Sequence, residues 1–336
     1  MRVGIIGTGA IAHKHVQAYR NIGYEVAVCS DEHAAFGRAF AERYGIRFAE
    51  RWEEVCSGAD VDFVDVCTFP NFRLAAVERC AAAGKHVQVQ KPMAIELADA
   101  RRMIELARAA NIRLGVVSQH RFDDASLFLK PAIDTGRLGK ILQADAYVKW
   151  WRSDEYYARP IKGSWEVEGG GALINQAIHQ IDILLWLCGP VSHVHGEWEL
   201  GAAHKIESED VVSALLRYRS GAIGVVQAST AIRPGYPERV EIHGTRGSAV
   251  ITGDQLTAWD VEGDAGAPVA ARAATGASDP MAISLTPFER QFLDFGAAIR
   301  ENRDPVVSGE EGFRALQLVQ AVYQSCRQGQ KVRIDA

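Results

Sequence analysis

The sequence predicts an α/β chain in which a parallel-sheet half is followed by a half built on a mostly antiparallel sheet. Three observations predict it. Short apolar runs alternate with helical stretches over the first 120 residues. A glycine-rich turn directly follows the first apolar run. Between Val191 and Ile251, strand-like segments follow one another with Gly turns and no helix between them. A chain of 336 residues has the length of about two domains, and a hydrophobic share of 48% suffices for real cores.

In the first half, Val3–Ile6, Glu25–Cys29, Phe63–Cys67, His86–Val89 and Arg113–Val117 read as strands. His13–Ile22, Ala34–Tyr44, Leu74–Ala83 and Leu97–Ala110 read as the helices between them. Strand, helix, strand in this rhythm implies right-handed crossovers and a parallel sheet. The strands are nearly all apolar, as expected when helices cover both faces. After Phe122 the texture changes, so the domains are expected to be residues 1–122 and 123–336. A helix over Asp123–Thr135 precedes a strand over Ile141–Trp151, and Gly169-Gly170-Gly171 opens a long apolar helix to Leu187. Val211–Tyr218, Ala222–Ala228 and Arg239–His243 then read as strands, and runs of strands without crossovers imply an antiparallel sheet. Residues 260–285 read as a loop, and helices over Pro287–Glu301 and Glu310–Arg327 close the sequence.

Several function classes are excluded at this level. The net charge of −5 is the wrong sign for a nucleic-acid binder. No apolar run reaches the ~18 residues of a membrane span, and the first residues carry no secretory signal. Six scattered Cys without a Cys-x-x-Cys pair suit small core residues in a reducing compartment. A cytoplasmic protein is the expectation.

Gly7-Thr8-Gly9-Ala10-Ile11-Ala12 follows the first strand and opens the first helix, the context a dinucleotide site requires. Gly7 permits the tight turn, Gly9 lets the backbone approach a pyrophosphate at the helix N-terminus, and Ala12 keeps helix and strand close. Asp31 stands 22 residues after Gly9, at the end of the second strand. A carboxylate there accepts hydrogen bonds from a ribose 2′-OH and repels a 2′-phosphate, so NAD is favoured over NADP. Lys91, followed by Pro92, lies beyond the carboxyl end of the strand over His86–Val89, where doubly wound sheets bind ligands.

On the helix after the glycine triplet, Asn175, His179 and Asp182 fall at about 0°, 40° and −20° on an α-helical projection. The rest of the helix is apolar over most of its circumference, which marks it as buried. Three aligned polar groups there form either a satisfied core network or a site, and His has the right pKa for proton transfer near neutrality. Before the triplet, Trp150, Trp151 and Arg152 lead to Tyr156, Tyr157 and Trp165. Trp151, Arg152 and Trp165 suit sugar faces and hydroxyls, although one of two adjacent Trp on a strand belongs in a core. Arg121, just past the strand over Arg113–Val117, is expected to reach the same cleft. His193 and His195 share a strand face without a convincing third ligand, so no metal is expected.

Four elements in order resemble the Gfo/Idh/MocA oxidoreductase family: Gly7–Ala12 with His15, the loop Thr68-Phe69-Pro70-Asn71, Gln90-Lys91-Pro92, and Gly169–Gly171 with His179 and Asp182. The resemblance covers essentially the whole chain. It implies an N-terminal Rossmann domain and a C-terminal α/β domain whose open, mostly antiparallel sheet often mediates homodimers or homotetramers. It implies oxidation or reduction of a sugar or cyclitol carbon with NAD(P), with Lys91 and His179 catalytic and Thr8, Ala10, Ile11, Thr68, Pro70, Asn71 and Gln90 around the cofactor. Three positions depart from the family pattern: Gln90 stands for Glu, Asn175 for Asp and Leu74 for His. Asn175 can orient His179 but brings no charge to raise its basicity.

The expected reaction is hydride transfer between nicotinamide and a carbinol carbon of a free sugar, anhydrosugar or cyclitol. His179 would take the hydroxyl proton and Lys91 would stabilise the oxygen. Two other readings are an NAD-dependent glycosidase, which oxidises a sugar carbon only transiently before elimination, and an NAD-binding regulatory protein, which would not need both Lys91 and His179 facing the nicotinamide.

Overall fold

The structure, a computed structural model, describes residues 1–159, 161–264, 266–270 and 284–335. Its elements form two compact units, residues 1–119 with 284–313, and residues 120–283 with 314–336.

In the first unit the order is β1 (Arg2–Ile6), α1 (Ala10–Asn21), β2 (Glu25–Ser30), α2 (Ala34–Tyr44), β3 (Arg47–Phe48), α3 (Trp52–Ser57), β4 (Phe63–Val66), α4 (Arg73–Ala82), β5 (His86–Val89), α5 (Leu97–Ala109) and β6 (Leu114–Val116). The strands pair in the order β3-β2-β1-β4-β5-β6, each contact parallel. This is the doubly wound order that the alternation predicts. Val3, Ile5, Phe63, Val64, Val87 and Val89 are fully buried, because helices cover both faces. The short β3 and α3 were not among the expected elements: two paired residues and six helical ones carry too little periodicity to stand out.

The second unit runs through α6 (Asp124–Asp134), β7 (Ile141–Lys149), α7 (Asp154–Tyr157), a π-helical turn over Leu173–Ala177 that leads into α8 (Ile178–Cys188), then β8 (Val191–Leu200), β9 (Glu209–Tyr218), β10 (Ile223–Ser229), β11 (Arg239–Gly244), β12 (Gly247–Thr252) and β13 (Gln255–Val261). Its eight strands pair in the order β13-β12-β11-β7-β10-β9-β8-β14, where β14 is Val332–Arg333. The sheet is mixed: β10 and β7 are parallel, and the other pairs are antiparallel. Along β9 buried and exposed residues alternate from Val212 to Tyr218, the pattern of a sheet covered on one face. Helix α8 packs on β7 and β11 and is apolar nearly all round, as a helix inside a unit must be.

The two closing helices are α9 (Thr286–Glu301) and α10 (Gly309–Gln328). The boundary differs here from the 1–122 and 123–336 division, since α9 belongs to the first unit. Phe288, Phe292 and Phe295 form one stripe of α9, all at most 2% exposed. Phe292 stacks on Tyr19 at 4.2 Å and meets His15 at 4.9 Å, while Phe295 meets Phe63 edge-on at 5.2 Å. The stripe shows that α9 is buried; only the fold shows against what. Residues 271–283 of the expected loop lie outside the described residues.

Candidate active site

The glycine turn is built by close contact on one side and open space on the other. Gly7 has φ +89, and a Cβ there would stand 2.9 Å from the backbone of Cys67 and Thr68, so only glycine fits. At Gly9 no heavy atom lies within 4 Å of where a Cβ would be. The protein's own packing thus leaves the space above Gly9 open. No side chain caps the N-terminus of α1, as a phosphate cradle requires. Ala10 is exposed beside it, with Ile11 half-buried. Asp31 braces the turn: its Oδ2 accepts from Thr8 N and Thr8 Oγ1, both at 2.7 Å, and its Oδ1 accepts from His33 N at 2.9 Å. These residues fit the adenosine and pyrophosphate of a dinucleotide.

Beyond the carboxyl ends of β4 and β5 lie the turn carrying Thr68, Pro70 and Asn71 and the cis-linked Lys91-Pro92. A residue absent from the sequence reading holds them together. Arg73 is 4% exposed, and its guanidinium donates to the carbonyls of Thr68 at 3.1 Å, Gln90 at 2.5 Å and Pro92. Burial pushes its pKa down to about 9. The only sequence signal for it was an Arg soon after Pro-Asn, which does not distinguish a buried clamp from a solvated charge.

Gln90, expected beside the cofactor, points its side chain inward at the end of β5. It is buried, and its Nε2 lies 2.8 Å from His15 Nε2 while its Oε1 accepts from Lys91 N at 3.2 Å. An amide N–H can only donate, so His15 Nε2 accepts and its hydrogen is on Nδ1, 2.6 Å from Asp65 Oδ2. Tyr19 Oη donates to the same carboxylate at 2.9 Å. Gln90 therefore links the Lys91 backbone to a buried network.

In the second unit, Gly171 of the glycine triplet lies where β9 passes against it. A Cβ on Gly171 would stand 1.9 Å from the Glu209 carbonyl oxygen. The Glu209 carboxylate, fully buried, accepts from Gly171 N, Leu173 N and Tyr323 Oη, each at 2.8 Å. Desolvation outweighs these three donors and raises its pKa to about 7. Glu209 caps the start of the helical segment that carries the polar stripe. It went unrecognised because Glu207-Ser-Glu-Asp210 reads as a solvated acidic turn.

The π-turn over Leu173–Ala177 changes the phase of the stripe, since a uniform 3.6-residue repeat no longer applies. Between Ala172 and Leu184, Asn175 and His179 are half-exposed while every other residue is buried. Asn175 Nδ2 donates to Gly170 O at 2.9 Å. Asp182 is buried and takes the Arg121 guanidinium in a two-pronged pair at 2.7 and 2.6 Å. Arg121 is 1% exposed and also lies over Trp186, so it pins the turn over Gln119–Phe122 to α8 rather than reaching into a cleft. On that turn His120 meets His179 edge-to-face at 5.0 Å.

The aromatic segment is likewise engaged within the unit. Trp165 Nε1 donates to Glu207 O at 3.0 Å, and its ring packs on Tyr323 and Trp198 under Arg327. Arg152 is buried over Trp150, and the Arg233 guanidinium stacks on Trp151 at 3.7 Å. Among the described residues, three-donor clusters occur at His15, Asp65 and Cys67 and at Asp145, Glu241 and His243; neither includes His193 or His195.

Comparison with known proteins decides the family. The family described as oxidoreductases with an NAD-binding Rossmann fold matches residues 1–118, and the GFO/IDH/MocA C-terminal domain matches residues 127–250. The 1,5-anhydro-D-fructose reductase of Ensifer adhaerens is 30% identical over 99% of this chain and 98% of its own. The chain belongs to the GFO/IDH/MocA oxidoreductase family. It is an oxidoreductase, and its first unit is an NAD-binding Rossmann fold. The myo-inositol 2-dehydrogenase of Thermotoga maritima is 28% identical over 100% of this chain and 99% of its own. Among solved structures, the WlbA dehydrogenase of Bordetella pertussis, in complex with NADH and UDP-GlcNAcA, superposes with a TM-score of 0.89 at 28% identity, covering 100% of this chain and 98% of that one. Within the family pattern, the acid missing at Asn175 and Gln90 is not replaced at those positions. No helix among the described residues is long and apolar enough to cross a membrane.

Proposed function

We propose that this oxidoreductase transfers hydride between NAD, in preference to NADP, and a carbinol or keto carbon of a free sugar, anhydrosugar or cyclitol. The observation that carries the reading is the pair Asn175 and His179, the half-exposed polar groups on an otherwise buried segment. A buried helix that keeps an imidazole open has a use for it. Relatives named for anhydrofructose, inositol and apiose support the polyol class.

The dinucleotide, when bound, supplies the hydride acceptor or donor. Gly9 and the α1 N-terminus hold its pyrophosphate, and Asp31 takes the ribose hydroxyls. Thr68, Pro70 and Asn71 shape the nicotinamide end, with Arg73 fixing their loop. His179 accepts the hydroxyl proton, and Lys91 donates to the same oxygen and stabilises its developing charge. Asn175, anchored on Gly170 O, orients the imidazole without adding charge.

Exposed Leu215 and Ile223, on the uncovered face of the eight-stranded sheet, support self-association through that face. The test of the function is NADH formation from NAD over a panel of myo-inositol, free sugars, 1,5-anhydrosugars and a UDP-sugar, repeated with NADP. Stoichiometric NADH with a polyol is the expected result. Glycoside cleavage without net NADH points to a glycosidase, and turnover of the UDP-sugar alone overturns the free-sugar class.

A further inference from the structure

The uncovered face of the eight-stranded sheet carries a group of ligand-type side chains that the proposed reaction does not use. Helix α8 packs on β7 and β11 from the other side, so alternation sends Ala144, Ala146, Val240 and Ile242 toward it and Asp145, Glu241 and His243 away from it. In the antiparallel register of β7 and β11, Asp145 stands directly opposite Glu241, and His243 follows Glu241 on the same face. One donor atom from each of the three lies within 4.8 Å of the other two.

Like charges directly opposite on paired strands are destabilising, and one of these two carboxylates, Asp145, is only 1% exposed. Arg239 offsets part of this through Glu241 Oε1. The local field stays negative: burial, together with the Asp145 and Glu241 charges, raises the neighbouring Tyr147 phenol above its ordinary pKa despite Arg239.

The bonds around the three side chains are those that metal ligands make. His243 Nδ1 lies 2.8 Å from Ser248 Oγ, its register partner on β12. With the ring N–H given to Ser248, the Nε2 lone pair is directed at Glu241 Oε2, 3.5 Å away. Two acceptors so placed call for a positive charge between them, and donor atoms around a tetrahedral ion with bonds of ~2.1 Å stand about 3.4 Å apart. Glu241 keeps its other oxygen on Arg239, and Asp145 accepts from Val225 N at 2.7 Å and Gln143 Nε2 at 2.8 Å. Each side chain thus has the outer hydrogen-bond partner that orients ligands in metal sites. The group at His15, Asp65 and Cys67 differs, because Asp65 at 2.6 Å and the Gln90 amide at 2.8 Å already take both nitrogens of its buried ring.

We propose that Asp145, Glu241 and His243 bind a zinc-class divalent cation on the open face of the sheet. One imidazole nitrogen and two carboxylate oxygens supply three positions of a tetrahedral site and leave the fourth to water. The ion cross-links the neighbouring strands β7 and β11 and neutralises the opposed carboxylates. Its role is structural and separate from the nicotinamide chemistry.

The test uses the full chain without an affinity tag, stripped with a chelator and dialysed. Calorimetric titration with zinc chloride should give one Zn²⁺ per chain. Zn²⁺ should raise the melting temperature, whereas Mg²⁺, which demands octahedral oxygen ligands, should not. Co²⁺ in its place should show the visible absorption bands of a tetrahedral site. His243→Ala and Glu241→Gln alter partly exposed side chains, so both should keep the metal-free melting temperature near that of wild type and weaken Zn²⁺ binding about tenfold or more. Ser248→Ala removes only the outer partner of His243 and should weaken it by about tenfold. No Zn²⁺ binding by the wild type, an affinity unchanged in His243→Ala and Glu241→Gln, or a melting temperature that Mg²⁺ raises as much as Zn²⁺ overturns the site.

Discussion

Replacing Glu209 by Gln tests the most demanding buried group in the second unit. Its carboxyl titrates at about 7 in the folded chain against an ordinary 4.5, a difference of roughly 2.5 units, or about 3 kcal/mol between the two protonation states. The folded state holds this proton more tightly than the unfolded chain, so the stability it brings is fully present below pH 4.5 and is lost as pH rises through about 7. Gln cannot titrate. Its single oxygen also keeps the Leu173 and Tyr323 donors on one side but turns an N–H toward the Gly171 N–H, which costs about 1–3 kcal/mol at all pH values. Urea unfolding of wild type and Glu209→Gln at pH 5, 6, 7 and 8 separates the two effects. The stability advantage of the wild type should shrink by about 2–3 kcal/mol from pH 5 to pH 8. Stability curves that run parallel, or an advantage that grows with pH, would show that the three donors outweigh desolvation.

Asp31→Ser should lower kcat/KM for NAD about tenfold or more, as loss of a charge-assisted ribose contact does, and raise it for NADP; initial rates with both cofactors decide. Arg73→Leu leaves three buried carbonyls without their donor, so the KM for NAD should rise and the melting temperature fall, with Arg73→Lys intermediate because an ammonium lacks the fork that spans three acceptors. Phe292→Ala empties a site with no exposure and should cost about 3–5 kcal/mol in urea unfolding. A cost under about 1 kcal/mol would argue against α9 as part of the first unit's core.

Much of the first unit was legible because its strands are continuous apolar runs and its glycine turn stands in the required context. Helix boundaries there agree within a few residues, as for α2, expected and found at Ala34–Tyr44. The place of α9 was not legible, because the Phe288, Phe292 and Phe295 stripe declares burial without naming a partner. The two-residue β3 is held by its pairing with β2 rather than by its own pattern. In the second unit, strands without intervening helices pointed to an antiparallel sheet. The parallel β7–β10 pair arises from strands distant in sequence, which periodicity does not report. Around the site, Arg121 was expected in the substrate cleft and Asp182 in the polar stripe with His179, and their mutual pairing became visible only in three dimensions. Glu209 and Arg73 were missed for the opposite reason: charged residues in charged or polar stretches look solvated until something buries them. Gln90 was placed around the cofactor by the family resemblance, and its contact with His15 became visible only in the fold.

The most direct measurement is steady-state NADH formation from a panel polyol by wild type, Lys91→Ala and His179→Ala, with NAD binding followed separately by fluorescence. The expected result is that wild type turns over, while both variants lose most of kcat and still bind NAD. Unchanged turnover in both variants, or activity with NADP alone, would contradict the assignment of Lys91, His179 and Asp31.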